Sequence, residues 1–280
     1  MRPSAKPADV ARVLLSRLPA NQPADIEAVA RALKLRIRDV SSTGFVGAMF
    51  PTEEGVGGLI CVAKIRESGR RRFTIAHEIG HYMLLDKSVA PSVCSLKDVG
   101  KWRRDRSTER AADMFATELL LPEQEVRPLI SKHGVQFNTA ELIKNTYNVS
   151  LTAAALRCVE LTTDECALVV TVKGVVKHYN PSASWRYLIP TKRAPGRYTM
   201  AGELFHDPSS RILCGIVSAK EWASEKKYTD LDARLWEESI SQIGYNTILS
   251  FLTVVNDPIL YEDIDELVRL EDSINARELP

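Results

Sequence analysis

The segment His77-Glu78-Ile79-Gly80-His81 places two histidines four residues apart, with a glutamate directly after the first. On a helix this spacing puts both imidazoles on one face, one turn apart, where they can bind the same zinc ion. Glu78 would then lie beside the metal, where a carboxylate can take a proton from water and later pass it to a leaving amine. The segment therefore predicts a zinc site that hydrolyses peptide bonds.

A catalytic zinc needs a third protein ligand, because the usual site combines three protein ligands with water. Glu109 begins a second helical run after 27 intervening residues, 82–108, and Asp113 follows four residues later on the same face. This order predicts a site of two histidines and a glutamate, with Asp113 holding the far nitrogen of one histidine. The alternative for Glu109 is a solvated helix start stabilised by the helix dipole, and Asp113 has a purely structural alternative too.

Two helices must position these residues. The run FTIAHEIGHYMLL has helical periodicity with Thr74 as a plausible N-cap, and TERAADMFATELLLP predicts a helix that begins at Thr108 and is closed by Pro122. The proline- and serine-containing stretch 86–108 between them is predicted to be a loop. Gly80 in a helix middle costs roughly 1 kcal/mol relative to alanine, which indicates a close approach by another backbone.

The rest of the first 162 residues is predicted to be helical apart from one hairpin. Apolar spacing predicts helices over 8–18 and 24–34, and the region 123–161 also has a helical pattern. Residues 44–62 read GFVGAMF, PTEEG and VGGLICV, which predicts a β-hairpin. Its exposed edge could bind a substrate segment as an added strand, and the alternative is an ordinary scaffold hairpin.

The pattern changes after Thr162, where short apolar runs and a Lys173-Gly174 turn predict a sheet covered on at least one face by helices. The strand-like runs are Ala167–Val172, Ile212–Ala219 and Ile248–Val255. An acidic amphipathic helix is predicted around Ile264, Leu267, Val268 and Leu270. Six aromatic residues could line a small-molecule pocket or pack in the core: Trp185, Tyr187, Tyr198, Trp222, Trp236 and Tyr245.

Composition limits the class of protein. The 280 residues include 37 lysines and arginines against 36 aspartates and glutamates, so no field of the whole molecule attracts nucleic acid. No stretch approaches the roughly 18 apolar residues of a membrane helix, and the N-terminus has no apolar signal-peptide core, so we expect a cytoplasmic protein. Five widely spaced cysteines without a CxxC pair argue against disulfides and a thiolate zinc site, and we expect buried thiols.

The combination of HEIGHYMLLD and TERAADMFATELLLP resembles the ImmA/IrrE family of bacterial zinc metallopeptidases. The resemblance implies one zinc ion per chain, with Mn²⁺ as an alternative, held by His77, His81 and Glu109, and Glu78 as the catalytic acid and base. Family members often carry a second glutamate two residues after the ligand, where this chain has Ala111. The resemblance also implies the substrate class: helix-turn-helix repressors, whose cleavage turns on a silenced regulon.

The resemblance also covers the domain order. It implies a multidomain α+β protein with a zincin-like peptidase domain at 1–122, a helix-turn-helix-like segment at 123–162 and an α/β domain at 163–280. The length and the strand-rich last region resemble the family members of radiation-resistant bacteria, whose third domain is similar to GAF domains. This implies a role in a radiation or DNA-damage response, with a small-molecule signal at the third domain.

The alternative hypothesis is a DNA-binding regulator with a structural zinc, suggested by the helix-turn-helix-like pattern and the basic run 101–110. A groove-reading helix needs cations to contact phosphates. Residues 139–160 contain only two basic side chains against two acidic ones. Direct DNA binding by this segment is therefore not expected.

Overall fold

The computed structural model describes residues 6–17, 23–41, 44–64, 67–84, 92–94, 106–207, 211–224, 233–242 and 246–255. The chain divides into two compact units, Met1–Thr162 and Thr163–Pro280. Within the described part of the chain, no helix is both long enough and apolar enough to cross a bilayer.

The first unit combines helices with one mixed sheet. Its helices are α1 (Pro7–Leu15), α2 (Ile26–Ala32), α3 (Ser68–Leu84), α4 (Arg106–Leu120), α5 (Glu123–His133), α6 (Phe137–Tyr147) and α7 (Leu151–Leu161). Its strands are β1 (Leu35–Val40), β2 (Gly47–Pro51), β3 (Gly58–Ala63) and β4 (Ser92–Cys94), in the order β1-β3-β2-β4. The predicted helices at 8–18 and 24–34 are confirmed in shorter form as α1 and α2, and the helical pattern across 123–161 is confirmed as α5, α6 and α7.

The predicted hairpin is confirmed, because β2 and β3 pair antiparallel from Gly47↔Val62 to Pro51↔Gly58. The expectation that it offers an exposed edge is wrong. On one side β3 pairs in parallel with β1, and on the other β2 pairs with β4 through Gly47–Met49. The hairpin strands are therefore internal to the sheet, and the neighbours that cover them come from segments with no strong strand pattern.

Both predicted helix caps are wrong. Helix α3 begins at Ser68, so Thr74 lies inside it, and its hydroxyl donates to the Arg70 carbonyl at 3.1 Å. The helix extends through the preceding arginines because arginine is a good helix former and Arg71 forms ion pairs with Asp39 and Glu27. Helix α4 begins at Arg106, which places Thr108 in its first turn. Within 86–108, the described residues 92–94 form a strand rather than a loop.

The described residues of the second unit form an antiparallel sheet and a short α-helix. The strands are β5 (Cys166–Val172), β6 (Val175–Pro181), β7 (Ile212–Ser218), β8 (Arg234–Gln242) and β9 (Thr247–Val254), in the order β6-β5-β9-β8-β7, and the helix is α8 (Met200–His206). The three predicted strands and the Lys173-Gly174 turn are confirmed, and both turn residues have positive φ. Strand β8 and helix α8 were not predicted from the sequence.

The core of this unit lies on the sheet face that carries α8. Tyr187 and Trp222 are buried in it, as core packing predicts, whereas Tyr198 is exposed. Tyr245 and the predicted C-terminal amphipathic helix lie outside the described residues. The expectation of a buried thiol is wrong for Cys214, which is exposed because it lies on an edge strand.

A buried carboxylate connects α8 to the sheet. Glu237 on β8 accepts hydrogen bonds from the Ala201 amide at 2.7 Å and from Trp222 Nε1 at 2.8 Å. Burial raises the pKa of Glu237, although these hydrogen bonds oppose the rise. The carboxylate therefore holds the first turn of α8 against β8.

Candidate metal centre

Helix α3 presents its two motif histidines on one buried face. His77 and His81 are one turn apart, and their Nε2 atoms lie 3.0 Å from each other. Their ring centroids are 4.6 Å apart with the rings nearly perpendicular. Both side chains are buried.

Helix α4 brings a carboxylate to the same point. The Glu109 carboxylate lies 3.3 Å from His77 Nε2 and 3.5 Å from His81 Nε2. Hydrogen bonds from His77 and then His81 hold the pKa of Glu109 well below its ordinary value, so the carboxylate is charged at neutral pH. One ligand atom from each of the three residues lies within 4.8 Å of the other two.

These distances fit a single zinc ion. Zinc bonds to imidazole nitrogen and carboxylate oxygen are about 2.0–2.2 Å long, so neighbouring ligand atoms of a tetrahedron are roughly 3.3 Å apart. The observed separations of 3.0, 3.3 and 3.5 Å bracket this value. Two imidazoles and one carboxylate are also the ligand set of a catalytic zinc site with an open fourth position.

Asp113 contacts the opposite nitrogen of one histidine. Its Oδ1 lies 2.8 Å from His77 Nδ1, although more than half of the Asp113 side chain is exposed. A carboxylate at this position keeps a proton on Nδ1, so that Nε2 is the His77 nitrogen that can bind a metal ion. The contact therefore orients His77 toward the other two ligands.

Glu78 is completely buried and lies between α3 and the sheet. A Cβ placed on Gly47 of β2 would be only 2.4 Å from Glu78 Oε1, so strand and carboxylate pack without intervening atoms. Strand β2 thus forms one wall of the Glu78 environment.

The predicted close approach at Gly80 is confirmed. A Cβ at Gly80 would lie 3.1 Å from both the Cα and the carbonyl oxygen of Ala112 on α4. Ile79 of α3 and Phe115 of α4 are fully buried near this crossing. The missing side chain therefore lets α4 come close enough to bring Glu109 to the histidines.

A buried ion-pair cluster, which the sequence analysis did not identify, fixes the other end of α4. Glu118 accepts hydrogen bonds from Arg157 of α7 and from Arg12 Nε of α1, the latter at 2.8 Å. Arg157 Nε also donates to the Leu121 carbonyl at 3.0 Å. Glu118 and Arg157 come from runs with ordinary helical patterns, so no local signal distinguishes them.

A histidine pair on one helix, completed by a glutamate from a neighbouring helix, is the arrangement typical of metal-dependent hydrolases with an HExxH motif. Residues 30–159 match a peptidase family model described as the IrrE N-terminal-like domain. The resemblance to the ImmA/IrrE family found in the sequence is confirmed for residues 30–159.

The structure is also similar to one described as a Mycobacterium tuberculosis transcriptional regulator. The TM-score is 0.54 at 13% sequence identity, and the alignment covers 89% of this chain and 76% of the other. At this identity the similarity concerns the fold alone. A comparison with curated proteins found no match.

Proposed function

We propose that this protein is a zinc-dependent endopeptidase that cleaves a helix-turn-helix repressor and so induces a stress response. The observation that carries the proposal is the convergence of His77, His81 and Glu109 within 4.8 Å. These three residues would hold the ion. Two nitrogen ligands favour zinc, and Mn²⁺ is the alternative in the cell.

Each residue of the site has a separate task. A bound zinc ion supplies Lewis acidity, which polarises a carbonyl and lowers the pKa of water to roughly 7. Asp113 keeps His77 in the tautomer that binds metal. The buried carboxylate of Glu78 accepts the proton of the attacking water and returns it to the leaving amine.

The substrate class follows from the family rather than from the geometry. Similarity to the ImmA/IrrE family implies that the substrate is a transcriptional repressor and that its cleavage induces a radiation or DNA-damage response. In this proposal 1–122 is the peptidase domain, 123–162 is a helix-turn-helix-like segment that helps to present the substrate, and 163–280 is a GAF-like sensor. The protein acts in the cytoplasm, where its repressor binds DNA.

The similarity to a regulator fold raises DNA binding as a second function, and the burial of α7 argues against it. Of its eleven residues six are buried: Ala154, Ala155, Arg157, Cys158, Val159 and Leu161. The turn before it packs on α3, where Ser68 Oγ donates to Asn148 Oδ1 at 2.9 Å. A recognition helix needs cations on its exposed face to contact phosphates, and the arginine of α7, Arg157, is buried. The helical segment therefore supports the peptidase rather than reading DNA.

The test is cleavage of purified helix-turn-helix repressors encoded in the same genome. The zinc-loaded protein is expected to cut one of them into two discrete fragments, and the Glu78→Gln variant is expected to leave it intact. Equal cutting by both proteins would exclude Glu78 as the proton-transfer group. Sequence-specific footprints on DNA without cleavage of any repressor would favour the regulator.

A further inference from the structure

We propose that Gly47 is a positioning residue for Glu78: the absence of a side chain on β2 leaves the space that the carboxylate occupies. The inference rests on the proposed function, because it assigns Gly47 a part in the placement of the proton-transfer group. Gly47 itself is not a metal ligand in this scheme. It acts through Glu78.

The evidence is the space around Gly47. A Cβ there would lie 2.4 Å from Glu78 Oε1 and 2.7 Å from Thr74 Cγ2, both far inside van der Waals contact. Both side chains belong to buried residues of α3, one turn apart. Any residue other than glycine at 47 therefore pushes against the turn of α3 that carries the carboxylate.

The strand cannot move away to relieve this contact. Gly47 pairs with Val62 of β3 on one side and with Cys94 of β4 on the other. A displacement of β2 would strain the ladders on both of its sides. The Glu78 side chain can rotate about its bonds, so an added Cβ at position 47 displaces the carboxylate first.

Backbone conformation does not explain the glycine. Gly47 is not among the described glycines with positive φ, unlike Gly55 and Gly57 in the turn that follows. An alanine can therefore adopt the backbone conformation of position 47. Glycine is required at position 47 for steric reasons, because a larger residue would collide with the side chains of Glu78 and Thr74.

Gly47→Ala is expected to lower kcat for repressor cleavage by about a hundredfold, which is the scale of a misplacement of about 1 Å. KM and the zinc affinity are expected to stay within about twofold of wild type, because the ligands are on other faces and elements. The matched control is Gly44→Ala in the same segment, where no heavy atom lies within 4 Å of the added Cβ. It is expected to cleave like wild type.

A variant cycle measured by thermal unfolding tests the contact without any cleavage. Gly47→Ala is expected to lower the unfolding midpoint by roughly 5 °C, as for other overpacked sites. In the Glu78→Ala background the loss should shrink by at least about half, because the carboxylate is gone. Thr74→Ser removes Cγ2 but keeps the hydrogen bond from the hydroxyl to the Arg70 carbonyl. Added to Gly47→Ala, it should restore part of the lost stability and part of the lost kcat.

The outcomes separate the two proposals. Wild-type kcat in Gly47→Ala, or a stability loss that is the same with and without the Glu78 carboxylate, would overturn the positioning role. If no repressor is cut by the wild-type protein while the variant cycle shows the expected coupling, the proposed function fails and the contact between Gly47 and Glu78 stands.

Discussion

At the scale of single residues, a substitution at Glu78 can remove the proposed proton transfer without changing the structure. Glu78→Gln keeps the size and shape of the side chain but removes the proton acceptor. We expect this variant to bind zinc with wild-type stoichiometry and to unfold at a similar temperature, while its cleavage rate falls by more than about a thousandfold. Cleavage within about tenfold of wild type would exclude Glu78 as the proton-transfer group.

Asp113 is expected to act through His77 alone. Asp113→Ala removes the 2.8 Å contact to His77 Nδ1, so the ring loses its fixed tautomer and orientation. Loss of such a partner typically weakens metal binding by about 10–100-fold, and we expect this range in a competition titration with a chelator. Glu54→Ala, at an exposed position of the hairpin turn, is the control. Equal zinc affinities in the two variants would show that Asp113 has no part in the site.

The residues of the candidate site were predictable because helical spacing converts sequence into geometry. His77 and His81 had to share a face once the segment was a helix, and Glu109 and Asp113 followed from the same periodicity. Gly47 was not predictable, since its importance depends on which helix packs over β2. A glycine inside a strand indicates a close approach, but it does not tell which group approaches.

At the scale of elements, the cluster around Glu118 ties α4 to α1 and α7. Glu118→Gln leaves the buried Arg157 guanidinium without its buried carboxylate, which we expect to lower the free energy of unfolding by about 3 kcal/mol. Urea denaturation measures this change. Glu160→Gln is the control, because Glu160 contacts the same arginine at 2.9 Å from an exposed position and should cost less than about 1 kcal/mol.

Should both variants lose the same small amount of stability, the cluster would not anchor α4.

The elements themselves were largely predictable from periodicity, but their limits and partners were not. Thr74 has the residue type of an N-cap, but the helix already includes the arginines before it. Strand β1 was missed because LRIRDV alternates apolar and charged residues over only a few positions. That β4 covers β2 is a tertiary event with no local signal.

At the scale of the whole molecule, the proposed function assigns cleavage to the first unit and its regulation to the second. The residues of the candidate metal centre all belong to Met1–Thr162, so a protein truncated after Thr162 should still bind one zinc ion. If the second unit is a sensor, the truncated protein should cut its repressor in cells without the inducing stress, or fail to respond to it. Unchanged control of cleavage in cells would make residues 163–280 dispensable for regulation.

The central claim is that one metal ion, held by His77, His81 and Glu109, activates peptide cleavage. The most direct measurement is a titration of metal-free protein with zinc, with repressor cleavage followed at each addition. The rate is expected to rise linearly and to level off at one equivalent per chain, and a His81→Ala variant should show no rise. Full cleavage without zinc, or an equal response in His81→Ala, would contradict the claim.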